Sequence, residues 1–114
     1  MADCLFCRIA RGEIPCAKVM EDGDVLAFRD IHPQARVHVL VIPKVHMDGL
    51  GSLGGANDAL LARLLRAADE VARLEGIAQS GYRLVSNCGP DACQSVGHLH
   101  FHVLGGQQLS DRMA

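Results

Sequence analysis

Residues 98–104 read His98-Leu99-His100-Phe101-His102-Val103-Leu104. Polar and apolar residues alternate with the period of two that belongs to a half-buried β-strand. His98, His100 and His102 then project from one face, and Leu99, Phe101 and Val103 from the other, into a core. Three of the six histidines fall within five positions. Imidazoles add nothing to the stability of a strand, because each carries nitrogens that need partners. Their concentration therefore points to chemistry. Side chains two apart on a strand lie about 6.7 Å apart at Cα and those four apart about 13 Å, while zinc holds nitrogen at about 2.0–2.1 Å. Neighbouring members can share an ion, but His98 and His102 together cannot. A row of imidazoles along an anionic substrate is the better use, since this side chain serves as nucleophile, acid or base near neutral pH.

The rest of the composition narrows the class. A chain of 114 residues makes one small domain, residues 1–114, near the lower end of self-sufficiency, where dimerisation often completes the core. Hydrophobic content of 49% against only 4% aromatic means an aliphatic core. A net charge of −2 supplies no basic footprint for a nucleic-acid backbone, so no nucleic-acid partner is expected. No apolar run approaches membrane-spanning length and no signal segment opens the chain, so no membrane partner is expected either. Five cysteines, an odd number, argue for a reducing compartment, and a cytoplasmic location is expected.

In chain order, Asp3 is placed to cap a short helix over residues 4–10, ended near Gly12 and before Pro15. Cys4 and Cys7 share one side of that helix. They read as two packed thiols, as a redox pair, or as half of a zinc site. Residues 18–21 and 25–29 flank Asp22-Gly23-Asp24 and predict a β-hairpin. His38-Val39-Leu40-Val41-Ile42-Pro43 is nearly continuously apolar and predicts a central strand covered on both faces. A glycine-rich loop, 49–55, leads to a long helix capped by Asn57 or Asp58 and closed by Gly76. Its apolar stripe is Leu60, Leu61, Leu64, Leu65, Ala68, Val71 and Ala72. Residues 82–87 form another strand before the histidine-rich one. The fold class expected is α+β: a five-stranded antiparallel sheet with one short N-terminal helix and one long helix.

The run His98-Leu99-His100-Phe101-His102-Val103-Leu104 resembles the signature of the histidine triad nucleotide-binding family. Gln94-Ser95-Val96-Gly97 before it and Gly105-Gly106 after it resemble the branch that hydrolyses nucleoside phosphoramidates. The resemblance extends over nearly the whole chain. It implies a homodimer whose two sheets join into one, and it assigns roles by position. His100 matches the nucleophile that attacks the α-phosphate to give a covalent nucleotidyl-imidazole. His102 matches the member set against phosphate oxygens, and His38 a histidine that supports the nucleophile; the alternative for His38 is a strand-edge histidine bonded to backbone. Ser95 matches the hydroxyl that helps the amine depart. Gln94 matches a nucleotide-binding polar residue just before the strand, and Asn87 one near the phosphate and ribose. Asp30 matches the carboxylate that accepts from both ribose hydroxyls. Leu5, Phe6, Ile9, Phe28 and Ile31 match an apolar slot around the purine, although their residue types fit plain core equally well.

The resemblance also implies a structural zinc ion held by Cys4, Cys7, His46 and His98, with His46 reached through Pro43-Lys44-Val45-His46. Two thiolates and two imidazoles close a tetrahedral site and leave no position for a catalytic water. Three features depart from the pattern: Cys93 stands where relatives have glycine, Gly97 replaces a larger residue, and the stretch from Gln107 onward lacks a tail with tryptophan and proline. The expected activity is that of a purine nucleoside phosphoramidase acting on AMP-type phosphoramidates. The alternatives are a dinucleoside polyphosphate hydrolase, a non-catalytic zinc-stabilised nucleotide-binding module, and a thiol oxidoreductase using Cys4 and Cys7.

Overall fold

The apolar run beginning at Val37 forms the middle of a five-stranded antiparallel sheet in the computed structural model, which describes residues 4–55 and 57–112. The elements in order are α1 (Leu5–Ala10), β1 (Lys18–Glu21), β2 (Val25–Arg29), β3 (Val37–Pro43), α2 (Asp58–Leu74), β4 (Tyr82–Val85) and β5 (Phe101–Gly105). The strands lie in the order β1-β2-β3-β5-β4. Short 3₁₀ turns at Leu50–Ser52 and Pro90–Ala92 interrupt the two long connections.

Strand alternation divides the apolar residues between two layers. Val25, Ala27, Val39, Val41 and Val103 face α2 and meet Leu64, Ala67, Ala68, Val71 and Ala72. Leu26, Phe28, Leu40 and Ile42 face the other way and meet Phe6 of α1. β3 is thus buried on both faces, as its composition predicts. In the β1–β2 hairpin, Asp22 accepts at one carboxylate oxygen from the backbone N–H of Asp24 (2.8 Å) and of Val25 (2.9 Å), which is why an aspartate suits the turn. Arg63 of α2 donates to the other oxygen of Asp22 at 2.7 Å and ties helix to hairpin.

The ends of α2 are set by local chemistry. Asn57 accepts from the Ala59 N–H at 2.7 Å. Gly76 takes φ 76°, its N–H donates to the Arg73 carbonyl at 3.2 Å, and the Ile77 N–H donates to Ala72 at 2.9 Å, a Schellman closure. Leu65 corrects the expected stripe: it is 54% exposed, because it lies about 100° round the helix from Leu64 and just past the rim of the buried face. Asp3, the expected cap of α1, lies outside the described residues. Cys4 fills the N-cap position and accepts from the Cys7 N–H through Sγ.

The histidine-rich strand is shorter than its alternation predicts. Ladder pairing begins at Phe101, opposite Val41. Two residues further, β3 reaches Pro43, which has no N–H to give. The Pro43 carbonyl accepts from His98 Nε2 instead, at 2.9 Å, and the Leu99 N–H turns to the Met47 carbonyl at 2.6 Å. The facing survives the loss of pairing. Leu99 is fully buried in the α2 layer, and His98 and His100 are buried on the α1 side, where Phe6 packs T-shaped against both rings.

Leu64→Ala is expected to lower stability to chemical denaturation by about 2–5 kcal/mol, as for a buried leucine truncated to a cavity. Leu74→Ala, at a site 61% exposed, is expected to stay within about 0.5 kcal/mol of the parent.

Candidate active site and metal centre

Four ligand atoms converge between the start of α1, the loop after β3 and the approach to β5. Cys4 Sγ lies 3.3 Å from His98 Nδ1, Cys7 Sγ 3.3 Å from His46 Nδ1 and 3.6 Å from His98 Nδ1, and all four atoms lie within 4.8 Å of one another. Zinc–sulfur and zinc–nitrogen bonds of about 2.3 and 2.0–2.1 Å make a tetrahedron with edges of roughly 3.3–3.8 Å. Both imidazoles are oriented for the task. His98 Nε2–H donates to the Pro43 carbonyl and His46 Nε2–H to Asp48 Oδ1 at 2.8 Å, which leaves each Nδ1 lone pair facing the thiols. Burial, reinforced by the Cys4 thiol alongside, pushes the Cys7 thiol up, a cost that a bound cation reverses. The set fits zinc.

Asp30, His38 and His102 form a second cluster of potential ligand atoms, and the same reasoning rejects a metal there. The Gln34 backbone N–H lies 3.0 Å from His38 Nδ1 and can only donate. Burial holds His38 below its usual pKa, against the pull of Asp30, so the ring is neutral and its one proton is on Nε2. That proton is directed to His102 Nδ1 at 2.9 Å, with Asp30 Oδ2 at 3.5 Å. A cation would have to displace it. His102 therefore accepts at Nδ1 and carries its own proton on Nε2. Burial, then the neighbouring His100 and His38, hold His102 at about 4, so it is a neutral donor at physiological pH.

His100 has the opposite tautomer. Its Nδ1 lies 2.7 Å from the His98 carbonyl, which can only accept, so the proton is on Nδ1 and the lone pair on Nε2. No partner for Nε2 occurs among the described residues, where every fully buried side-chain polar atom is satisfied. The residue is only 3% exposed and lines a cleft, into which its free nitrogen looks. The His100 and His102 rings are 5.0 Å apart. A lone pair and an N–H are thus offered side by side to one ligand.

The cleft encloses about 280 Å³ and brings together Leu5, Phe6, Ile9, Phe28, Asp30, Ile31, Ser95, His100 and His102, all candidates from the sequence. Asp30 Oδ1 accepts from the His32 N–H at 2.8 Å, which fixes the carboxylate at the rim. Ile31 is 86% exposed and Leu5 45%, unpartnered apolar surface at the mouth. His38 stands behind His102 and does not line the cleft, nor do Asn87 and Gln94. Cys93 lines none of it and adopts φ 60°, a left-handed conformation that explains glycine as the ordinary occupant. A Cβ on Gly97 would meet nothing within 4 Å. Ile14, Cys16, Leu40 and Val96 also line the cleft and escaped sequence reasoning. Leu40 was within reach, since it shares a strand face with His38. Asp48, the partner of His46, was signalled only by its place two residues on.

A family model for the HIT domain matches residues 11–109. The chain belongs to the HIT domain family. Among its HIT relatives, the 14 kDa zinc-binding protein of Zea mays is 50% identical, over 93% of this chain and 84% of that one. Adenylylsulfatase HINT1 of Arabidopsis thaliana is 50% identical, over 93% and 73%. Purine nucleoside phosphoramidase of Escherichia coli K12 is 40% identical, over 96% and 92%. The solved HIT family hydrolase from Clostridium thermocellum superposes with TM-score 0.95 at 42% identity, covering 100% of this chain and 99% of that one.

Purified HIT protein is expected to carry about one zinc per chain. At a thousand times its dissociation constant the ion adds about 4 kcal/mol, on the order of 15 °C in Tm at this size. Cys7→Ser is expected to lose both the metal and that increment; zinc content and Tm unchanged in the variant would contradict the site.

Proposed function

We propose that this protein is a purine nucleoside phosphoramidase that cleaves the P–N bond of AMP-type phosphoramidates through a nucleotidyl-histidine intermediate. The observation that carries the reading is the free Nε2 of His100, bare of protons because Nδ1–H is held by the His98 carbonyl. The purine lies between Leu5, Phe6, Ile9, Phe28 and Ile31, and the ribose hydroxyls reach Asp30 at the rim. His102 Nε2–H donates to a phosphate oxygen. His100 Nε2 attacks phosphorus, the P–N bond breaks, and the amine leaves as its nitrogen takes the Ser95 hydroxyl proton, which solvent water replaces on Ser95. The phosphorylated imidazole gains positive charge, which the His98 carbonyl faces at Nδ1. Water then attacks phosphorus and the P–Nε2 bond breaks, returning His100 and releasing AMP. Zinc on Cys4, Cys7, His46 and His98 serves structure: it fixes the backbone whose carbonyl orients the nucleophile.

The relative named as an adenylylsulfatase at 50% identity supports a second reading, in which the same nucleophile displaces sulfate from adenylyl sulfate. Dinucleoside polyphosphates are a third class of substrate for the same residues. A non-catalytic module would have no use for a nucleophile so prepared. β4 is a sheet edge, with Tyr82 and Leu84 each 36% exposed, and it suits a homodimer with a continuous sheet. The physical setting we propose is the cytoplasm.

An adenosine phosphoramidate is expected to turn over faster than adenylyl sulfate or diadenosine polyphosphate. His100→Ala is expected to lose at least about 10³-fold in kcat while still binding AMP. Turnover unchanged in that variant would remove the mechanism, and preference for either other substrate would reassign the leaving group.

A further inference from the structure

Gln94 precedes Ser95 in sequence, yet its amide is occupied inside the chain. Nε2 donates to the backbone carbonyls of Asp48 at 2.6 Å and Val96 at 3.0 Å, and Oε1 accepts from the Gly89 N–H at 2.9 Å. Three segments meet on one side chain: the loop that carries His46 and Asp48, the turn that opens at Gly89, and the Ser95-Val96 step into the triad. Two donors and an acceptor at one reach are what a primary amide supplies. A glutamate would set a carboxylate against two carbonyls, and an asparagine is one methylene short.

Gly49 supplies an independent sign that this amide is built in. It is buried, and a Cβ there would lie 3.3 Å from both Nε2 and Oε1 of Gln94 and 3.6 Å from Cys88 Sγ. Its φ of 173° is extended backbone, so glycine is present for room and not for conformation. Asp48 meanwhile accepts from the metal-side His46 through its carboxylate and from Gln94 through its carbonyl. The metal-side loop and the serine loop are therefore closed by one residue.

We propose that Gln94 is a positioning residue: by latching the serine loop to the metal-side loop, it holds Ser95 at the place where the leaving group departs. Its kinetic consequence rests on the phosphoramidase reading, whereas the latch itself does not. A loop held within a fraction of an ångström matters because misplacement of about 1 Å costs on the order of 100-fold in rate.

The test is a double-mutant cycle on the zinc-loaded protein, with hydrogen exchange alongside. Gln94→Ala is expected to lower kcat for an adenosine phosphoramidate on the order of 10- to 100-fold, with KM and AMP affinity within about threefold. In a Ser95→Ala background the same substitution is expected to cost less than about twofold. Gly49→Ala keeps every hydrogen-bonding atom but crowds the amide, and is expected to lower kcat in the same way and to lose that effect in the Ser95→Ala background. Losses that multiply across Gln94 and Ser95 would overturn the proposal. The Gly89 amide is expected to exchange faster in Gln94→Ala and at the parent rate in Ser95→Ala. An unchanged Gly89 rate in Gln94→Ala would overturn the latch, including in a protein that cleaves no phosphoramidate, in which case only the functional reading fails with the kinetics.

Discussion

The backbone carbonyl of His98 accepts from His100 Nδ1, and most of the site depends on that contact holding. It is a neutral hydrogen bond of 2.7 Å, modest in net stability, but it decides which nitrogen of His100 is free. His98 is held from three directions. Its Nε2–H reaches Pro43 at the end of the central strand, its Nδ1 faces the two thiols, and its ring packs T-shaped against Phe6. In the proposed mechanism, a metal ligand whose own peptide carbonyl orients the next residue but one lets a structural ion set the geometry of the nucleophile without touching substrate. That economy matters in a chain of 114 residues, where few other contacts remain to fix a short, unladdered segment.

A second chain of hydrogen bonds sets His102 the opposite way. The Gln34 N–H directs the proton of His38 outward, and His38 directs that of His102 into the cleft. Two imidazoles 5.0 Å apart thereby become different reagents, one a lone pair and the other a donor. Burial disfavours charge on His102, which therefore donates as a neutral ring. The same tautomer reasoning accepts zinc at Cys4, Cys7, His46 and His98 and refuses it at Asp30, His38 and His102, although both groups are close enough to hold an ion.

Much of this was readable from residue patterns, and the exceptions have physical causes. The alternation at 98–104 placed all three histidines on one face because side-chain facing follows backbone period. It overstated the strand because a ladder also needs a partner with an N–H, and Pro43 has none. Helical spacing found the α2 stripe but not its rim, where Leu65 turns outward. Gln94 was placed near the ligand by its neighbours in sequence, whereas its amide serves two loops that are adjacent only in space. Asp48 was missed for the same reason. The tautomers of His38, His98 and His100 leave no trace in sequence, since they are set by backbone groups that every residue carries.

Nitrogen-15 chemical shifts of the histidine rings in the zinc-loaded protein at neutral pH test the central contact most directly. The account requires His100 to carry its proton on Nδ1 with Nε2 bare, and His38 and His102 to carry theirs on Nε2 with Nδ1 bare. A proton on Nε2 of His100, or rapid exchange between its two tautomers, would contradict it.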